Sequence, residues 1–185
     1  NYQTYSINFL LNNPYSGLFL EPGLGKTIIT LTAIDELMHN RFEVSRVLVV
    51  APLRVARDTW GGECKKWKHL KHLKLSLILG TEPERIRAIN KSADIYIINR
   101  ENLVWLIKHY GKNFPYDMVV LDELSSFKSV SSKRFRAMKS VRPFVKRVVG
   151  LTGTPAPNGL LDLWPQVYLL DMGKRLGRYI TAYKN

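Results

Sequence analysis

A single cysteine in 185 residues, Cys64, excludes an internal disulfide framework and a cysteine-based zinc cluster. No apolar run approaches the ~18 residues of a membrane-spanning helix, and no signal-peptide pattern opens the chain. These absences predict a soluble protein of a reducing compartment. Internal repeats, low-complexity tracts and interdomain linkers are also missing. The four histidines, His39, His69, His72 and His109, offer no obvious metal-ligand spacing, and His69 and His72 fall on a lysine-rich stretch that reads as exposed. Acid is scarce: 15 Asp+Glu against 28 Lys+Arg leave a net charge of +13. From Leu124 to Leu161 there is none at all, yet Lys128, Lys133, Arg134, Arg136, Lys139, Arg142, Lys146 and Arg147 lie there. A second basic cluster, Lys65, Lys66, Lys68, Lys71 and Lys74, surrounds Trp67. Such runs suit either a solvated face or a polyanion whose counterions are released on binding, and charge alone does not choose between them.

What is present is ordinary globular material. Hydrophobic residues make up 45% of the chain and charged residues 23%, enough for one core at this length. Short β-branched runs recur at nearly even spacing: Gly17–Leu20, Arg46–Val50, Leu75–Leu79, Ile95–Ile98, Met118–Leu121 and Arg147–Leu151. Several are apolar throughout, which suits strands covered on both faces. Between them Thr27–His39, Val55–Trp67, Pro83–Asn90, Glu101–Tyr110 and Ser131–Lys139 read as helices. Leu160–Leu170 reads as a weaker one because Pro165 lies inside it, and Gly111 reads as a C-cap. Strands alternating with helices predict an α/β three-layer domain with a mostly parallel central sheet. In such sheets ligands gather at the carboxyl ends of the strands, so chemistry is expected directly after each apolar run.

After the first run comes Glu21-Pro22-Gly23-Leu24-Gly25-Lys26-Thr27, opening a predicted helix. Glycines let successive N–H groups turn into one cavity, and the helix N-terminus adds partial positive charge. Lys26 is placed to reach β- and γ-phosphates, and the Thr27 hydroxyl to ligate Mg²⁺. The strict phosphate-loop pattern is not met, because Leu20 stands where its first glycine belongs. After Met118–Leu121 come Asp122 and Glu123, an acid pair closing an apolar strand. Beside a phosphate loop, Asp122 is expected to hold Mg²⁺ through water and Glu123 to orient or deprotonate an attacking water. A simpler alternative is a pair that caps the next helix. Thr152-Gly153-Thr154-Pro155 follows the last strand and reads by itself as a turn. Arg54, two residues after Pro52, reads either as a phosphate-contacting fork or as an exposed side chain.

These segments, in this order, resemble the helicase motifs of superfamily-two proteins, specifically the Swi/Snf-type DNA-dependent ATPases. Tyr2-Gln3 is similar to the adenine-reading glutamine element, and Glu21–Thr27 to motif I. Ala51-Pro52-Leu53-Arg54 with Trp60, Glu63 and Lys66-Trp67 is similar to motif Ia, and Asn99-Arg100-Glu101-Asn102-Leu103 more loosely to motif Ib. Asp122–Ser129 with Ser132-Lys133 is similar to motif II, and Leu151–Asn158 with Leu163-Trp164 to motif III. The likeness runs from about Tyr2 to Asp171. Two departures stand out. Ser125 replaces the usual histidine of motif II, and Pro22 replaces the usual methionine of motif I.

The resemblance implies a RecA-like lobe over residues 1–185 that binds ATP and Mg²⁺. Gly23, Leu24, Gly25, Lys26 and Thr27 would hold the phosphates, with Gln3 on adenine. Thr27 and Asp122 would hold Mg²⁺, and Lys26, Asp122 and Glu123 would serve catalysis. Thr152 and Thr154 would couple the site to movement, with Arg54 and Lys128 on the DNA backbone. It also implies a monomeric parent that moves along duplex DNA, cytoplasmic in a bacterium or encoded by a phage. Motifs IV to VI, with their arginine finger, do not occur. With the start at Asn1, that predicts a piece whose hydrolysis needs a second RecA-like lobe. A small-molecule kinase and a nucleic-acid-binding module with a vestigial loop are the alternatives.

Overall fold

A computed structural model describes residues 1–156 and 158–184. Among them, six strands form one sheet: β1 (Tyr15–Phe19), β2 (Val47–Ala51), β3 (Leu75–Ile78), β4 (Ile95–Asn99), β5 (Met118–Asp122) and β6 (Arg147–Thr152). Their spatial order is β1-β6-β5-β2-β4-β3, and every pairing is parallel, with Val49 opposite Val120 and Leu121 opposite Gly150. All six predicted strands are present, each within two residues of its expected limits. The sheet is wholly parallel rather than mostly so.

Alternate residues of each strand feed two cores. Val47, Val49 and Ala51 of β2 face a layer made by α1 (Tyr2–Asn12), α2 (Lys26–Asp35) and α3 (Trp60–Lys66). Leu48 and Val50 face the opposite layer of α4 (Glu82–Asn90), α5 (Leu103–Tyr110), α6 (Lys133–Val141) and α7 (Leu163–Asp171). Every residue of β2 and of β4 is buried, which is why those runs lack polar alternation. Gly150 has a packing reason: a Cβ there would lie 2.5 Å from Leu124 Cδ2, so only glycine lets the turn after β5 close over β6.

The helices depart from expectation where local geometry changes. The predicted Thr27–His39 helix is α-helical to Asp35 and then widens into a π-helical turn, Glu36–Asn40. A second π-helical turn, Val55–Thr59, leads into α3. Pro165 does not break α7. That helix starts at Leu163, so the proline sits in the first turn, where its missing N–H has no intrahelical partner to lose. Gly111 caps α5 as predicted, its N–H bonding the Ile107 carbonyl at φ +54°. Two helices were not anticipated, α1 and the short α8 (Ile180–Tyr183). The apolar stripe of α1 is thin, with Leu10 and Leu11 buried beside Ser6, so periodicity is weak.

Candidate nucleotide-binding site

Because every strand runs the same way, the segments that follow them share one edge of the sheet. Across that edge lie the glycine loop after β1, Thr152 ending β6, Asp122 ending β5, Pro52-Leu53-Arg54 after β2 and Arg100 after β4. The segments singled out after the strands are therefore neighbours in space.

The glycine loop has the backbone its sequence predicts. Gly23 and Gly25 both sit at φ +85°, a region that L side chains rarely enter. Gly25 is the N-cap of α2 and provides no side chain to cap it. Gly23, Gly25, Lys26, Thr27, Ile28 and Glu63 line a cavity of about 230 Å³. Lys26 Nζ donates to the Leu20 carbonyl at 2.5 Å, closing the loop on itself. Gln3 reaches the same place from α1. A Cβ on Gly25 would lie 2.9 Å from Gln3 Nε2, so the amide packs directly on the loop. Asn1 caps that helix by accepting from the Gln3 N–H, and the Tyr2 hydroxyl donates to the Leu24 carbonyl. Tyr2 had no separate role in the sequence.

Asp122 is half-buried, and its Oδ2 accepts from Trp60 Nε1 at 3.0 Å. Burial pushes its carboxyl up from the ordinary value of 3.8. The Glu123 charge adds to that rise, while the Trp60 hydrogen bond and the positive charge of Lys26 oppose it. The Lys26 charge thus reaches Asp122 although β6 separates their strands. Glu123 holds φ +61° and ψ +62°, a left-handed conformation in a bulky residue that points to strain kept for a purpose. The capping alternative for the acid pair is not realised. The Glu123 side chain makes no cap bond, and α6 is capped instead by Ser132, whose side chain accepts from the Phe135 N–H.

The turn after β6 lies against the glycine loop. A Cβ on Gly153 would stand 3.3 Å from Pro22 Cδ and 3.6 Å from the Leu20 carbonyl oxygen. Thr152 is fully buried, and its Oγ1 accepts from the Thr154 N–H. Gln166, wholly buried on α7, donates to the Pro155 and Asp162 carbonyls and so ties this turn to the helix behind it. Neither Trp60 nor Gln166 was assigned a positioning role from sequence. Trp60 finds its partner 62 residues away and Gln166 reaches Pro155 11 residues back, beyond any local pattern, while only its bond to Asp162 has helical spacing.

Arg54 and Lys128 are exposed on this edge, and neither makes an ion pair among the described residues. The basic run from Lys128 to Arg147 is not one face, however. Arg142 is buried and donates to the carbonyls of Leu169, Val145 and Leu170. Arg147 donates to the Leu10 and Leu11 carbonyls and pairs with Glu43. Those two cations hold the fold together and are unavailable to a polyanion.

Asp122→Asn is expected to stabilise the ligand-free chain at pH 7 by roughly 0.5–2 kcal/mol, a usual gain when a strained functional group is relieved. Below pH 3.8 the carboxyl is protonated both folded and unfolded. As pH rises through its raised folded value, the folded state bears the cost of a desolvated charge and stability falls. Urea melts at pH 3 and pH 7 check this: the gain should appear only at the higher pH. Trp60→Phe removes the opposing hydrogen bond and should shift the carboxyl further upward, read by carboxylate NMR titration.

Residues 2–176 match the profile of the SNF2-related domain. The chain is 42% identical over 188 residues to the putative protein p41 of Acyrthosiphon pisum secondary endosymbiont phage 1, covering 98% of this chain and 41% of that protein. It is 32% identical over 154 residues to helicase SWR1 of Mycosarcoma maydis, covering 81% of this chain and 8% of the helicase. The chain therefore spans less than half the length of these curated relatives. Among solved structures, the Sulfolobus solfataricus SWI2/SNF2 ATPase core in complex with dsDNA superposes with a TM-score of 0.82 at 24% identity. That match covers 99% of this chain and 37% of the other, and it establishes the likeness of fold.

Proposed function

This chain belongs to the SNF2-related domain family, and from that premise we propose that it is the ATP-binding lobe of a Swi/Snf-type DNA-dependent ATPase that translocates along duplex DNA or separates its strands. The observation that carries this reading is the shared sheet edge. An uncapped helix N-terminus with two left-handed glycines and Lys26 shares that edge with Asp122, one strand removed. That donor set fits a magnesium triphosphate: N–H groups and an ammonium for phosphate oxygens, a hydroxyl and a carboxylate for the metal.

In this reading, Gly23, Leu24, Gly25, Lys26 and Thr27 hold the phosphates and Gln3 reads adenine from its place against the loop. Lys26 exchanges the Leu20 carbonyl for phosphate oxygen. Thr27 Oγ1 and Asp122 would hold Mg²⁺, which when bound would supply positive charge against that of the triphosphate. The Trp60 indole keeps Asp122 oriented. Glu123 Oε accepts a proton from the attacking water, held in position by its left-handed backbone. Thr152 and Thr154, packed with the loop through Gly153, report the state of the site to the DNA-facing surface, where Arg54 and Lys128 contact backbone phosphates. A second RecA-like lobe of the same monomeric parent supplies the transition-state arginine, so this lobe alone turns over slowly. The greater length of the relatives supports the second lobe, and the duplex DNA in complex with the Sulfolobus ATPase core supports the backbone contacts.

Titration of a fluorescent ATP analogue into wild type and Lys26→Ala tests the proposal. Loss of the ammonium is expected to weaken binding by at least tenfold, since charge-assisted contacts to phosphate are among the strong ones. Equal binding would favour a vestigial loop. Duplex binding should weaken steeply with salt, with a log–log slope of about −0.9 per phosphate contacted. A flat response would remove Arg54 and Lys128 from the DNA.

A further inference from the structure

The far end of α2 carries a second constellation. In a parallel α/β unit the helix runs back against its strand, so the C-terminus of α2 lies about 15 Å from the glycine loop, at the opposite edge of the sheet. There Asp35 ends α2, His39 projects from the π-helical turn that continues it, and His72 lies in the segment entering β3. One ligand-competent atom from each of the three lies within 4.8 Å of the others. His72 Nε2 is 2.6 Å from Asp35 Oδ1, and the His39 and His72 rings meet edge to face with centroids 5.3 Å apart. Asp94, just before β4, brings Oδ2 to 3.9 Å from His39 Nε2 and is itself fixed by the Lys74 N–H.

We propose that Asp35, His39 and His72 bind a borderline-soft divalent metal ion, Zn²⁺ or one of similar preference, with Asp94 alongside. The metal would staple α2 to the segment that leads into β3. Ion pairs of His72 with Asp35 and of His39 with Asp94 account for each imidazole separately, but not for the two rings being set against one another. Two imidazoles and a carboxylate converging on one point are a ligand set. Tetrahedral bonds of ~2.0–2.1 Å place ligand atoms roughly 3.3 Å apart, a spacing between the 2.6 Å of His72 and Asp35 and the 4.8 Å that bounds the set.

The backbone is already positioned. Leu37 and Met38 are buried beside His39, and Leu70 and Leu73 lie buried on either side of His72, so the ligands project from anchored chain. The π-helical turn widens the helix where His39 emerges, a device that often accompanies binding sites. Imidazole ligation selects against Mg²⁺ and Ca²⁺, which take oxygen, and so separates this site from the nucleotide edge. The lone thiol does not compete: burial pushes Cys64 up to about 11, keeping it protonated.

Calorimetric titration of the tag-free protein with Zn²⁺, joined to Co²⁺ absorption and thermal melting, tests the proposal. Expected are a 1:1 stoichiometry, the strong visible bands of tetrahedral Co²⁺, and a melting temperature raised by Zn²⁺ but not by Ca²⁺. His72→Ala and His39→Gln should each weaken binding by at least tenfold. His69→Ala, whose ring bonds Thr32 instead, and Lys26→Ala should leave it intact. Both ligand positions are substantially exposed, so the variants should fold, and far-UV circular dichroism checks that. No saturable binding by wild type, or undiminished binding by both His72→Ala and His39→Gln, overturns the site.

Discussion

If Glu123 is the base of the proposed two-lobed parent, Glu123→Gln is expected to lower its ATP turnover by roughly 10²–10⁴-fold while leaving nucleotide affinity nearly unchanged, the signature of losing a proton acceptor. The substitution is nearly isosteric, and glutamine bears the same strain as glutamate at φ +61°, so the fold should be unaffected. Removing the negative charge has a second consequence at Asp122. Glu123 helps to raise the Asp122 carboxyl, so in the variant that group should titrate lower, and any remaining activity should extend to more acidic pH. Single-turnover hydrolysis across pH, beside the fluorescence titration, separates chemistry from binding. Unchanged turnover would dismiss Glu123 as the base, whatever its backbone.

Arg142→Met should have the largest effect on stability, a loss of about 3 kcal/mol or more. A fully buried guanidinium donates to three carbonyls, at 2.6 Å to Leu169, 3.0 Å to Val145 and 2.5 Å to Leu170, and lies over the Tyr15 ring at 4.8 Å. Two of those acceptors close the C-terminal turn of α7, where carbonyls have no intrahelical donor and the helix dipole favours a cation. Methionine fills the space but satisfies none of them, and each stranded acceptor costs about 1–3 kcal/mol. Urea unfolding should show a lower midpoint with an unchanged slope. Lys139→Ala, exposed on α6, should stay within about 0.5 kcal/mol of wild type. Equal midpoints for Arg142→Met and wild type would mean that this cation is dispensable.

The basic run that contains Arg142 shows where reading a sequence stops. Eight cations without an intervening acid look like one surface, yet burial of Arg142 and the contacts of Arg147 with α1 divide them between scaffold and solvent. Charge patterns record composition along the chain, whereas desolvation depends on what packs across it. The histidines make the same point in the other direction. His39 and His72 are 33 positions apart and carried no metal-ligand spacing, and only the return of α2 to the strand entrance brings them together.

The strand runs, the glycine loop and the acid pair were legible because their physics is local. A strand buried on both faces must be apolar throughout, a phosphate cradle needs glycine where φ is positive, and an acid at the end of such a strand needs a use. From these alone follow the fold class and the strand ends at which the residues of the proposed site stand. The tertiary structure alone decided that β6 lies between β1 and β5, that Trp60 holds Asp122, and that Gln3 packs on Gly25. Each of those depends on strand order and on contacts between distant segments, which the packing of both helical layers selects and no stretch of sequence encodes.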